Sequence, residues 1–102
     1  MKFNKDFIKA VEHIMYQLKL SNSSYPNKIY YNGMELYLRP VIQFNTGFRT
    51  VEVYDKYGVL KGNRNGAYEY SYPKLTIKID DNLLKDSNLL SLEIINKLKE
   101  RF

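Results

Sequence analysis

The dipeptide Asn32-Gly33 sits between two strand-like runs, Lys28-Ile29-Tyr30-Tyr31 and Met34-Glu35-Leu36-Tyr37-Leu38. Both positions of a two-residue hairpin turn need positive φ, which glycine adopts freely and asparagine tolerates, so the pair calls for an antiparallel hairpin here. In the second arm Met34, Leu36 and Leu38 alternate with Glu35, Tyr37 and Arg39, giving one apolar and one polar face. Pro40 is expected to break or bend the edge before Val41-Ile42-Gln43-Phe44 resumes.

On either side of this β-rich stretch the hydrophobic period is helical. Phe7, Val11, Ile14 and Leu18 recur on one face of a helix over residues 4–20, flanked by Phe3, Ala10 and Met15. Asn4 can cap its first turn, and Asp6 stands where the helix dipole favours a negative charge. Ser21-Asn22-Ser23-Ser24-Tyr25-Pro26 ends it. At the other end of the chain Leu90, Ile94 and Leu98, widened by Ile95 and Phe102, predict a second helix capped by Asp86 or Ser87. Leu83 and Leu84 fall in a short turn before it. Strands are expected at Phe48–Asp55, Val59–Lys61, Ala67–Tyr72 and Leu75–Ile79, separated by turns at Asn45-Thr46-Gly47, Asp55–Gly58, Gly62–Gly66 and Pro73. These connections suit hairpins and are too short for parallel crossovers.

The expected fold is therefore α+β over residues 1–102 as one domain: an N-terminal helix, an antiparallel meander of five or six strands, and a C-terminal helix. Both helices are expected on one face of the sheet, the simplest way to bury both apolar stripes. With 44% hydrophobic residues a packed core is expected, and the absence of cysteine excludes disulfides and thiolate metal sites. No apolar run reaches the roughly 20 residues that a membrane-spanning helix needs. Met1-Lys2-Phe3-Asn4-Lys5-Asp6 leads into no secretory apolar stretch, so a cytoplasmic protein is expected.

The usual catalytic constellations are missing. His13, the sole histidine, lies beside Lys9, Glu12 and Gln17 rather than on the apolar stripe, and zinc seldom binds without histidine or cysteine partners. Glu35, Glu52 and Glu69 fall on solvent-facing strand positions, and Asp80-Asp81 reads as a helix start. Gly58-Val59-Leu60-Lys61-Gly62 ends in neither a phosphate loop nor a dinucleotide fingerprint. The expectation is a protein that binds rather than catalyses, with no cofactor and no metal.

Charge and tyrosine then suggest where it binds. Residues 56–79 carry Lys56, Lys61, Arg64, Lys74 and Lys78 against Glu69 alone, so +4 of the net +5 lies there. The same stretch holds Tyr57, Tyr68, Tyr70 and Tyr72; basic groups beside aromatic rings suit unpaired nucleic acid. Period-two spacing of Tyr68, Tyr70 and Tyr72 equally suits a face buried under a helix. Ten tyrosines exceed what a small core holds, so several are expected to be exposed, with Tyr16, Tyr25, Tyr30, Tyr37, Tyr54 and Tyr57 as the candidates. Tyrosine and arginine are favoured at protein interfaces. The partner-binding set is Tyr54, Lys56, Tyr57, Lys61, Arg64, Lys74 and Lys78.

Twelve lysines against four arginines, with ten asparagines, match an AT-rich genome. The size and composition are like those of phage or mobile-element accessory proteins, many of which dock on and block a host enzyme, CRISPR nucleases included. The primary expectation is an inhibitor of a host protein or nucleoprotein machine. The alternatives are direct nucleic-acid binding through residues 56–79 and a homodimer joined at a sheet edge.

Overall fold

The computed structural model describes residues 3–20, 25–43, 45–61 and 68–102. Helix α1 (Lys5–Leu20) leads into β1 (Asn27–Tyr31), β2 (Met34–Ile42) and β3 (Arg49–Asp55). Then follow β4 (Val59–Lys61), β5 (Tyr68–Tyr70), β6 (Leu75–Ile79), a 3₁₀ turn at Asp81–Lys85, and α2 (Ser87–Arg101). The fold is α+β, with both helices against one face of an antiparallel sheet.

Local chemistry starts and stops each element. The Asn4 side-chain oxygen accepts the Asp6 N–H at 2.7 Å and caps α1. The Asp86 carboxylate accepts the Asn88 N–H at 2.8 Å and caps α2. Asn32 and Gly33 take φ of 49° and 77°, the positive pair that a tight hairpin demands, and Tyr31 faces Met34 across them.

The six strands do not form one continuous meander. The main sheet has the order β1-β2-β3-β6, and β4-β5 pair separately. The division follows side-chain character. β6 offers Leu75, Ile77 and Ile79 to the helices, whereas β4 and β5 have no such aliphatic row, so β6 takes the place beside β3. Val11, Ile14 and Leu18 of α1, Leu90, Ile94 and Leu98 of α2, and Leu36, Leu38, Val51, Val53 and Ile77 of the sheet are all buried in one cluster.

Pro40 neither breaks nor bends the chain out of β2, contrary to expectation; β2 runs through it, and Pro40 faces Val51 of β3. The Asn27 side chain on β1 donates to the Leu38 carbonyl at 3.2 Å, so Leu38 points its peptide groups toward β1. Pro40, two residues on, points the same way. There β1 has already ended, at the Asn27–Leu38 pair, so the missing N–H costs no ladder bond.

Two polar groups lock the helices to the sheet. Asn27 also donates to buried Gln17 of α1 at 3.1 Å. Arg49 Nε donates to the carbonyl of Leu18 at 3.0 Å while its guanidinium reaches Asp81 at 2.9 Å, tying the end of α1 to the 3₁₀ turn.

Truncating Leu38 to alanine should cost about 2–5 kcal/mol, and Asp86→Ala about 1 kcal/mol, in unfolding free energy measured by chemical denaturation.

Candidate functional site

Alternation along β2 and β3 sends Tyr37, Arg39, Glu52 and Tyr54 to the face away from the helices, with Lys28, Tyr30 and Glu35 alongside. The β4-β5 hairpin folds over part of this face. The Arg39 guanidinium carbon lies 4.0 Å from the centre of the Tyr70 ring, and Tyr70 packs on Tyr54 at 5.1 Å and beside Tyr68 at 6.4 Å. Beneath them Glu52 accepts from the Tyr54 hydroxyl at 2.6 Å and from Arg39 at 3.4 Å. A half-buried guanidinium is thus held by a carboxylate on one side and an aromatic face on the other.

Three tyrosine assignments change in consequence. Tyr54 is not a surface contact: it is only 2% exposed, sealed under Tyr70. Tyr37, expected in the open, is half-buried, with its hydroxyl on Glu35 at 2.7 Å. The period-two tyrosines of β5 do not pack beneath a helix. Tyr68 and Tyr70 are half-buried in the aromatic cluster with Tyr54, while Tyr72 is 93% exposed. Alternation told that these rings shared a face; it could not tell which body covered it, because a second aromatic layer has the same period as a helix-covered strand.

The hydroxyls in this layer hold their protons tightly. The Glu35 hydrogen bond, with burial adding to it, pushes Tyr37 up to about 12. Burial, then the Glu52 hydrogen bond, pushes Tyr54 up to about 12 against the opposing pull of Arg39. Burial raises Tyr70 as well. Hydroxyls that stay protonated donate to carboxylates and scaffold the face; they are poorly suited to act as bases or nucleophiles at neutral pH.

Beside this layer lies an exposed patch organised by Asp55. Its carboxylate accepts the N–H groups of Tyr57 and Gly58, each at 3.0 Å. Its other oxygen lies 3.9 Å from the Lys74 ammonium. The Gly58 carbonyl accepts the Ser71 N–H at 2.9 Å, bringing the two chains leading to Tyr57 and Tyr72 together. A Cβ on Gly58 would stand 2.8 Å from the Ser71 hydroxyl, so only glycine permits this approach without displacement. Lys74 donates its N–H to Val53 at 2.8 Å and accepts from Arg101 Nε at 3.0 Å, which fixes the patch to β3 and to α2. Tyr57 (78% exposed) and Tyr72 stand next to these joined residues, Leu60 (59%) follows Gly58 by two positions, and Lys56 lies 5.2 Å from the Tyr57 ring.

The structure thus brings Lys56, Tyr57 and Lys74 together and places Tyr54 beneath as support. Lys61 ends β4 opposite Tyr68. Arg64 and the Gly62–Gly66 loop lie outside the described residues. Lys78 does not join the group: it pairs with Thr50 at the far end of β3, its ammonium 4.3 Å from the Phe48 ring. Five residues of strand separate Thr50 from Asp55, about 17 Å. Leu60 and Tyr72, both exposed, lie outside the expected set. Their signal was weak but present: a leucine in a three-residue strand, and a tyrosine directly before Pro73, where pairing stops.

Among the described residues no three His, Asp or Glu side chains gather as a metal-binding group, and no helix is long and apolar enough to cross a membrane. Comparison with protein-family models, with curated proteins and with solved structures returns no match to this chain.

The raised tyrosines make a stability prediction. The folded state binds these protons more tightly than the unfolded chain, whose tyrosines titrate near 10. Their contribution is fully present below pH 10 and is lost as pH rises from 10 through about 12. The denaturation midpoint should fall across that window, and Tyr54→Phe should flatten the fall.

Proposed function

We propose that this chain is a non-catalytic binding protein that docks on a protein or nucleoprotein partner through the patch of Tyr57, Leu60 and Tyr72, flanked by Lys56 and Lys74. The observation that carries this reading is the exposure of two tyrosines and a leucine on a backbone that Asp55, Gly58 and Ser71 hold fixed. Large, rigid rings on a pre-set backbone bind at low entropic cost, and such anchors dominate protein interfaces. The lysines favour an acidic partner surface and steer its approach. Occupying a partner's working surface blocks it, so inhibition of a host machine, as phage or mobile-element proteins perform it, is the consequence we assign.

A protein contact is favoured over phosphate binding by how the cations are used. Arg39 is held by Glu52 and Tyr70, Arg49 by Asp81, and Arg101 by the Lys74 carbonyl. Lys28 leans toward Glu35, and Lys74 toward Asp55. Side chains engaged in this way have less to offer a phosphate backbone, whose binding depends on released counterions.

The test is affinity capture from lysate of a low-GC bacterium, comparing the wild type with Tyr57→Ala/Tyr72→Ala. A partner retained by the first and lost by the second, with fluorescence anisotropy finding no salt-steep binding to DNA or RNA, is the expected result. Steeply salt-dependent nucleic-acid binding that survives both tyrosine changes would overturn the reading.

A further inference from the structure

β1 is an edge of the main sheet, and half of its backbone polar groups face away from it. The phase follows from the hairpin. Leu38 points its carbonyl at β1, and a two-residue turn places Tyr31 and Met34 in the same hydrogen-bonded phase. Asn27, Ile29 and Tyr31 therefore spend their peptide groups on β2, and Lys28 and Tyr30 point theirs outward. They border a groove of about 430 Å³ whose opposite wall is α1, with Phe7 and Ala10 as apolar lining and Asp6, Lys9 and His13 as its polar residues.

We propose that this edge is a self-association surface, on which β1 of a second copy pairs antiparallel about a twofold axis at Ile29 and joins two four-stranded sheets into one of eight. Three features select a second copy as the occupant. In this register Lys28 of each chain faces Tyr30 of the other, so four main-chain hydrogen bonds form and the outward groups of both residues are used. The side chains agree with it. Lys28 already lies 5.7 Å from the Tyr30 ring within the chain, and pairing offers the same contact across the axis without setting lysine against lysine.

Spacing and charge agree as well. α1 rests over both β1 and β2, and strands about 4.8 Å apart then set the two α1 axes about 10 Å apart, a helix-packing distance. The twofold reverses one helix against the other, and each helix brings both an acid, Asp6, and a base, Lys9, to the groove it shares with its mate. The surface is separate from the Tyr57–Tyr72 patch and stands independently of it.

Sedimentation velocity over a roughly hundredfold concentration range should give a monomer–dimer equilibrium. Lys28→Pro removes an outward N–H and leaves the β1-β2 ladder intact, and should weaken the dimer about tenfold or more, since symmetry removes two bonds. Asp6→Lys should weaken it through the helix walls. Thr76→Pro, on the outward phase of the opposite edge β6, should leave it unchanged. Far-UV circular dichroism and thermal midpoints certify that each variant is folded. Hydrogen exchange supplies a readout on the native chain: the Lys28 and Tyr30 amides should slow as concentration rises, while Ile29 does not change. A monomer at all concentrations with those two amides exchanging freely would overturn the proposal, as would a dimer broken by Thr76→Pro and not by Lys28→Pro. Protection of those amides only on adding an extended alternating Glu-Val peptide would also overturn it, and would give the groove to a foreign strand.

Discussion

At the centre of β2 and β3 aliphatic side chains alternate with polar and aromatic ones, and a strand cannot turn one residue over without turning all of them. Once Leu36, Leu38, Val51 and Val53 are committed to the helices, Tyr37, Arg39, Glu52 and Tyr54 are committed to the other face. That face then carries a guanidinium and a carboxylate side by side, and its Tyr37 and Tyr54 hydroxyls donate to glutamates. Covering such groups with aliphatic side chains would leave their remaining hydrogen-bonding capacity unmet. An aromatic cover offers its ring face to the Arg39 cation, although the buried Arg39 Nε finds no hydrogen-bond partner among the described residues, and the β4-β5 hairpin supplies that cover.

The hairpin in turn determines what the surface displays. Because Tyr70 is used inward on Arg39 and Tyr54, the rings left outward are those where the hairpin meets its turns, Tyr57 and Tyr72. The same carboxylate that shapes the Tyr57 turn also restrains Lys74, so the apolar and basic parts of the patch share one anchor. The exposed rings and the fold are joined at Asp55.

The helical stripes, both N-caps and the Asn32-Gly33 turn were legible in the sequence because each rests on interactions within a few residues of itself. What was not legible depended on distant partners. Pro40 looks like an interruption until one sees that β1 stops two residues short of it. Placing β6 beside β3 requires comparing the aliphatic content of three short strands, and single-strand alternation does not rank them. The basic segment 56–79 read as one surface, yet Lys56 and Lys78 stand at opposite ends of β3, because a hairpin intervenes between them. Nearness in sequence carried charge but not geometry. Tyr54, expected in the open, misled for a related reason: the second layer above it has no local signature.

Two layers of unlike composition also divide the protein's evolutionary liabilities. The aliphatic side of the sheet is answerable to two helices at once, so a change there must be compatible with both. The far side answers instead to the Tyr37, Tyr54, Tyr68 and Tyr70 rings, the Arg39 guanidinium, and the Glu35 and Glu52 carboxylates. Outward residues such as Tyr57, Leu60 and Tyr72 can be exchanged without reopening either account. Substitution on the outward face is therefore uncoupled from packing on either layer beneath it, whereas substitution within the layers is not.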